Sequence, residues 1–213
     1  MTTPQSDRVT LRELDTPTQA LVRLSAVVTA GSDVDVRAAV AHAAGRIPAA
    51  WVEELLLQSY LFAGFPRALN AMREWRRVSP EIVDEQSVRD VDQWQAAGVD
   101  TCAAVYGSMY DKLRENIRRL HPLLDEWMIT EGYGKVLSRS GLDLPRRELC
   151  IVAACAVAYQ DRQLHSHLHG ALNVGVDAPV IDAVISAIAD LLGEARTKSV
   201  RLLCARVARG EKE

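Results

Sequence analysis

Apolar residues recur along this chain at helical rather than strand spacing. From Asp177 onward, Val180, Ile181, Val184, Ile185, Ile188, Leu191 and Leu192 follow the i, i+3, i+4, i+7 rule of a helix with one buried face. Pro179 suits the first turn of that helix, and Gly175 suits the stop of the one before it. The same pattern predicts further helices near 17–29, 34–44, 49–63, 66–77, 87–97, 100–119, 122–138, 146–159, 162–173 and 196–209. Gly31, Gly45, Gly64, Gly98, Gly141 and Gly193 supply the expected breaks. β-branched residues seldom alternate with polar ones, and no Asn-Gly or Asp-Gly turn separates alternating segments. The expected fold class is all-α, a helical bundle.

A weak internal repeat runs through the pattern. A shift of 130 positions lays Arg37–Leu55 over His167–Ile185, so that Gly45 meets Gly175 and Ala41 meets Ala171. Each copy then reads as a helix ending at glycine, a short turn with a proline, and a longer amphipathic helix. In that register Arg37 stands at the place of His167 and Thr18 at the place of Glu148. The stretch from Arg77 to Gln95 is the most polar interior segment and reads as a connector. The expected organisation is a polar tail over 1–15, a first repeat over 16–77, connector and helices over 78–119, and a second repeat over 120–209.

Composition narrows the function classes. Of 213 residues, 48% are hydrophobic and 25% charged, with a net charge of −3, an ordinary balance for a globular protein with a sizeable core. Lysine and arginine show neither excess nor clustering, so no nucleic-acid partner is expected. No apolar run reaches the ~18 residues of a membrane span, so no membrane partner is expected either. The opening MTTPQSDRVTLRELDTP lacks the basic-then-apolar layout of a signal peptide, and the expected location is the cytoplasm. Cys102, Cys150, Cys155 and Cys204 are scattered in apolar helical context, which predicts reduced, buried thiols.

The candidate chemistry concentrates in RELCIVAACAVAYQDRQLHSHLHGALNVG, Arg147 to Gly175. It sets a carboxylate, Glu148, and a histidine, His167, nineteen positions apart on two consecutive helices, a pair suited to proton transfer. As simpler roles, Glu148 is a first-turn acid favoured by the helix dipole and His167 a buried, hydrogen-bonded histidine. His165 and His169 share a helix face. Zinc would need a third ligand, and no HExxH pattern or further Cys/His cluster supplies one, so no metal is expected. Cys150 and Cys155 differ by about 140° around a helix and about 7.5 Å along it, beyond comfortable disulfide geometry. Tyr133, Tyr159 and Trp127 are candidate pocket walls, though aromatics at helix interfaces more often serve the core.

These residues resemble the carboxymuconolactone decarboxylase and alkylhydroperoxidase D superfamily. The resemblance rests on Arg147-Glu148-Leu149 opening a helix, on His167 before the small-residue run Gly170–Gly175, and on the lead-in YGKVLSRSGLDLPRREL (Tyr133 to Leu149). EELLLQSYLFAGFPRALNAM (Glu53 to Met72) resembles the closing helix pair of the same domain, which implies two copies in tandem. The resemblance implies an all-α bundle and a homo-oligomer, with a trimer favoured for two-copy members. Its peroxidase branch carries two cysteines twelve and fifteen residues after the glutamate, where this chain has Gln160 and Gln163. Thiol peroxidase chemistry is therefore not expected.

The decarboxylase branch implies a small-molecule substrate, a carboxylated lactone or related acid, handled without a cofactor. In that reading His167 is the general acid/base and Glu148 orients it or shares its proton. Gln160 and Gln163 contact substrate oxygens, Arg147 pairs with a substrate carboxylate, and Tyr133 lines the pocket. The alternatives are a peroxidase-like oxidoreductase with atypical thiols and a non-catalytic oligomeric ligand-binding protein of the same fold.

Overall fold

The computed structural model describes residues 9–80 and 90–210. Apart from an isolated parallel bridge between Leu11 and Val176, the described secondary structure is helical. The first half comprises α1 (Thr16–Ala30), α2 (Asp33–Ala43), α3 (Ala49–Gln58) and α4 (Tyr60–Val78). Next come α5 (Val91–Tyr106), a 3₁₀ turn (Gly107–Met109), α6 (Tyr110–Leu120), α7 (Pro122–Trp127) and a π-helical segment (Met128–Leu137). The second half comprises α8 (Leu144–Val157), α9 (Asp161–Asn173), α10 (Ala178–Ala187), α11 (Ala189–Leu192) and α12 (Glu194–Ala208). No helix of the described residues is long and apolar enough to cross a membrane.

Helices α1 and α8 form the centre of the bundle. Both begin with an aspartate cap and a proline in the first turn: Asp15 accepts from the Thr18 amide and Asp143 from the Arg146 amide. The Arg146 guanidinium bonds Asp15, Asp143 and the Thr18 hydroxyl and lies 4.3 Å above the Trp51 ring centroid, tying the two helix starts together. α8 is buried along nearly its whole length, which explains why LPRRELCIVAACAV carries apolar residues on every side.

Some local features recur in the two halves. Gly64 and Gly193 each break a helix in the same backbone conformation, φ/ψ of 81/159° and 74/165°, a region open to glycine alone without strain. Three residues later, Arg67 donates to the Val28 and Gly31 carbonyls at the end of α1, and Arg196 donates to the Ala156 carbonyl at the end of α8. Burial sets the register between the halves. Val36, Val40 and Ala43 on α2 are buried as Leu164, Leu168 and Ala171 are on α9, a shift of 128. At that shift Ala20 and Ala39 stand 128 positions before Glu148 and His167, and Arg37 lies on the surface paired with Glu74.

Other sequence expectations shift for physical reasons. Gly98 does not end a helix; α5 runs through it to Gly107. It sits there because α5 presses on the π segment: a Cβ at Gly98 would lie 2.1 Å from the Ile129 carbonyl oxygen, and one at Gly134 would lie 2.0 Å from that of Trp94. Gly98→Ala is accordingly expected to destabilise by at least the ~1–3 kcal/mol of an overpacked core, measurable as a lower midpoint of chemical denaturation. The helix expected over 122–138 is α7 followed by the wider π turns. The tail expected over 1–15 is anchored in its described part, where Leu11 is buried and exchanges backbone hydrogen bonds with Gly175 and Asp177. Residues 81–89, which include part of the expected connector and the start of the helix expected near 87–97, lie outside the described residues.

Candidate active site

Glu148 lies near the start of α8 and His167 in the middle of α9, which folds back antiparallel after a short reversal at Tyr159 (φ 58°). The fold-back brings His167 Nδ1 within 2.8 Å of Glu148 Oε2. Glu148 is fully buried and His167 is 6% exposed. The second carboxylate oxygen, Oε1, is buried with no hydrogen-bond partner among the described residues. Such an atom costs about 1–3 kcal/mol if left unpaired, a cost that persists in active sites where a substrate group or proton completes the set. With Nδ1 engaged by the carboxylate, Nε2 is the ring nitrogen left to act on a ligand.

Gly170, one helical turn beyond His167, makes this geometry possible. A Cβ there would lie 2.6 Å from Glu148 Oε2 and 2.7 Å from Val105 Cγ1. Gly170→Ala is expected to displace the carboxylate from the histidine and reduce activity more than stability. Activity and denaturation midpoint measured together check this; an unchanged rate would show that the pair tolerates the displacement.

Residues distant in sequence close the site. Phe62 from the first half meets the His167 ring edge-on, with centroids 5.8 Å apart. Tyr133 from the π segment and Tyr106 from α5 meet edge-on, with ring centroids 6.1 Å apart. Burial, with the nearby Glu148 charge adding to it, pushes Tyr106 up to about 12 and Tyr133 well above its ordinary value, so both remain neutral donors at physiological pH.

The cysteines are free thiols, with Cys102, Cys150 and Cys155 buried and Cys204 partly so. Burial raises Cys102, Cys155 and Cys204 to about 12 and moves Cys150 upward too. Because the folded state holds these protons more tightly than the unfolded chain does, the contribution to stability is present below pH ~8.5. It is lost as the pH rises toward 12. Denaturation midpoints should therefore fall between pH 9 and 12. Iodoacetamide at pH 7.5 should label the native thiols far more slowly than the unfolded ones, as read by intact mass. Rapid native labelling would reveal an activated thiol.

The remaining sequence candidates separate. Gln160 and Gln163 are exposed, and Gln163 lies one turn before His167 on the same stripe of α9; they flank the pair at the surface rather than contact it. Arg147 is corrected outright. It is fully buried, with Nε on the Leu142 carbonyl, one amino group on Gln58, and the other on Glu54 and the Arg139 carbonyl. Four of the five guanidinium N–H donors are taken within the core and the side chain is not exposed, because the first turn of α8 directs residue 147 toward α3 and residue 148 toward α9. Trp127 and Tyr159 are 52% and 67% exposed and do not wall the site. The His165 and His169 rings stack edge-on at 4.8 Å, and no group of three metal-ligating side chains occurs among the described residues. Phe62 and Tyr106 belong to the site, although nothing in the local sequence marks Phe62 and Tyr106 is marked only as an aromatic at a helix interface.

The described residues form an all-α bundle that buries a Glu–His pair between consecutive helices. Residues 122–204, which hold Tyr133, Glu148, His167 and Gly170, match the carboxymuconolactone decarboxylase family. Among curated proteins it is similar to Peroxisomal protein 2 of Saccharomyces cerevisiae, 24% identical over 162 residues, covering 62% of this chain and 56% of the relative. It is also similar to Peroxisomal protein 2 of Schizosaccharomyces pombe, 30% identical over 132 residues, covering 58% of this chain and 60% of the relative. The chain thus spans less than two thirds of the length of either relative.

Proposed function

We propose that the protein is a cofactor-free proton-transfer enzyme, a decarboxylase-like lyase acting on a small carboxylated lactone or related acid. The observation that carries this reading is the buried 2.8 Å contact between His167 Nδ1 and Glu148 Oε2, with Oε1 beside it lacking a partner among the described residues. In the reaction the C–C bond to the substrate carboxylate breaks and CO₂ leaves. The electron pair stays on the conjugated lactone as an enolate, and one proton is delivered to carbon. His167, through Nε2, is the proton carrier. Glu148 fixes its tautomer and stabilises the imidazolium, and the neutral Tyr106–Tyr133 pair supplies hydroxyl donors near the developing charge. The test is decarboxylation of 4-carboxymuconolactone by the purified protein, followed by loss of substrate absorbance and by CO₂ release. Absence of turnover on it and on related lactone acids would overturn the reading.

A non-catalytic ligand-binding protein is the second reading. It is favoured by the closure of the site, where His167 is nearly buried and Phe62 lies against its ring. The thiol-peroxidase alternative has no support from cysteines held protonated by burial. The shared name of the two relatives favours a peroxisomal over a general cytoplasmic location. The reading also takes the two halves as copies of one ancestral unit, supported by the paired glycine breaks, the paired Arg67 and Arg196 contacts and the common burial register. The first copy has alanines at both chemical positions.

A further inference from the structure

A hollow of about 140 Å³ between α9 and α12 gathers positive charge that the described residues do not balance. Arg162 reaches it from the first turn of α9, and Arg196, Ser199 and Arg206 from α12. Arg196 is 8% exposed and forms the floor, with Nε on the Ala156 carbonyl and the guanidinium 4.6 Å from the Tyr159 ring centroid. Its Nη2 stands 2.6 Å from Asp161 Oδ1, which pairs the charges, yet no N–H of Nη2 is aligned on an acceptor among the described residues. Asp161 is the only acid among the described residues that line the hollow.

Arg162 and Arg206 stand apart from the other arginines of the second half. Between Arg114 and Arg201 every described arginine but Arg162 is ion-paired. Neither Arg162 nor Arg206 has an ion pair or a side-chain hydrogen bond among the described residues, and the Ser199 hydroxyl between them has none either. No Asp or Glu lies three or four positions from either arginine, so the usual pairing along a helix surface is closed to both. The backbone does not compensate. The dipole of α12 favours a cation at Arg206 in its last turn, but the dipole of α9 repels one at Arg162 in its first. Two unpaired guanidinium groups on one small hollow repel each other, and an anion placed between them turns that repulsion into attraction.

The charge count selects the anion. Three guanidinium groups against one carboxylate leave two positive charges here, in a protein whose net charge is −3. A carboxylate brings one negative charge in a plane and is satisfied by a single guanidinium fork. A phosphate group brings close to two at neutral pH, on oxygens that point to several sides. We propose that this hollow binds a phosphate group, free or carried by a small soluble ligand. Arg162 and Arg206 pair with its oxygens, the Ser199 hydroxyl donates a further hydrogen bond, and Arg196 supplies charge from below. Arg162 and His167 differ by about 140° around α9, so the hollow is separate from the Glu148–His167 pair and independent of the chemistry proposed for it.

Isothermal titration calorimetry of the full chain at constant ionic strength is the test, with sodium phosphate and glycerol phosphate as ligands and sodium acetate as the control anion. A phosphate-bearing ligand should bind once per chain and acetate should not. Arg162→Gln and Arg206→Gln, both at exposed positions, should each weaken binding about tenfold through loss of a charge-assisted hydrogen bond. The double variant should not bind. In phosphate-free buffer it should melt no lower than the unmodified protein, because the repulsion is gone, and phosphate should raise the melting temperature of the unmodified protein alone. Uptake of glycerol phosphate assigns the hollow to an organic phosphate, and uptake of inorganic phosphate alone assigns it to the free ion. The proposal is overturned if neither binds the unmodified protein, if acetate binds equally well, or if the double variant binds phosphate unchanged.

Discussion

His167→Ala should lower the rate of decarboxylation by about 10²- to 10⁴-fold, the range that one positioned general acid/base contributes. The substitution also strips Glu148 of its only side-chain hydrogen-bond partner among the described residues, so a stability loss of about 1–3 kcal/mol accompanies it. His167→Gln separates the two effects. A glutamine amide can still donate to Glu148 Oε2 but cannot carry a proton at neutral pH, so stability should recover while activity does not. Glu148→Gln keeps the shape of the pair and removes the charge that orients the imidazole and stabilises its protonated form; its rate should fall between those of the unmodified protein and His167→Ala. Steady-state kinetics on one lactone acid, with circular dichroism and sedimentation on the same samples, reads all three. Unchanged turnover in His167→Gln would remove the histidine from the chemistry. Loss of folded protein in every His167 variant would assign it to structure alone.

Arg147→Met is expected to destabilise the protein by about 3–5 kcal/mol, the cost of leaving one partner of a buried ion pair alone. Glu54 is itself buried at 2% exposure, and besides Arg147 it receives the Arg139 guanidinium, which lies nearer the surface. Arg147 also satisfies the carbonyls of Leu142 and Arg139 and the Gln58 side chain. In a chain of this size the loss corresponds to a melting temperature lower by roughly 10 °C. Lysine should not rescue it, because an ammonium cannot reproduce the planar fork that serves four acceptors at once. The double variant Arg147→Met with Glu54→Leu should recover part of the loss, since the stranded charge is then gone. Thermal denaturation followed by circular dichroism measures each case. A melting temperature within 2 °C of the unmodified protein for Arg147→Met, taking about 2 °C as the smallest shift per kcal/mol, would show that solvent reaches Glu54. Loss of activity at unchanged stability would return Arg147 to the substrate.

Both expectations concern neighbours in one motif, and sequence reasoning treated them unequally. Glu148 and His167 were legible because their spacing on two consecutive helices and the small residues after His167 restrict how such helices pair. Arg147 was not. An arginine in a first turn faces either solvent or the interior, and only the position of Glu54 on α3, 93 residues earlier, decides between them. Gln160 and Gln163 occupied the right stripe of α9, yet α9 begins at the surface and leaves both in solvent. Phe62 carried no local mark and Tyr106 only that of an aromatic at a helix interface, since they reach the site by packing between halves and between α5 and the π segment.

The helices themselves followed from local rules. Aspartate caps with proline in the first turn began α1 and α8, glycine closed α9, and the apolar spacing of α10 foretold its buried face. These are short-range effects, settled within about a turn of backbone, and the chain carries them wherever it goes. The same local rules misread Gly98, whose role is set by a carbonyl on another helix 2.1 Å from where its Cβ would stand. The amino-acid sequence by itself determined an all-α protein with a carboxylate and a histidine on adjoining helices. Only the tertiary structure decided that these two touch, that their arginine neighbour belongs to the core, and which aromatic rings enclose them. Burial, close approach and the pairing of charges depend on elements that meet in space from distant parts of the chain.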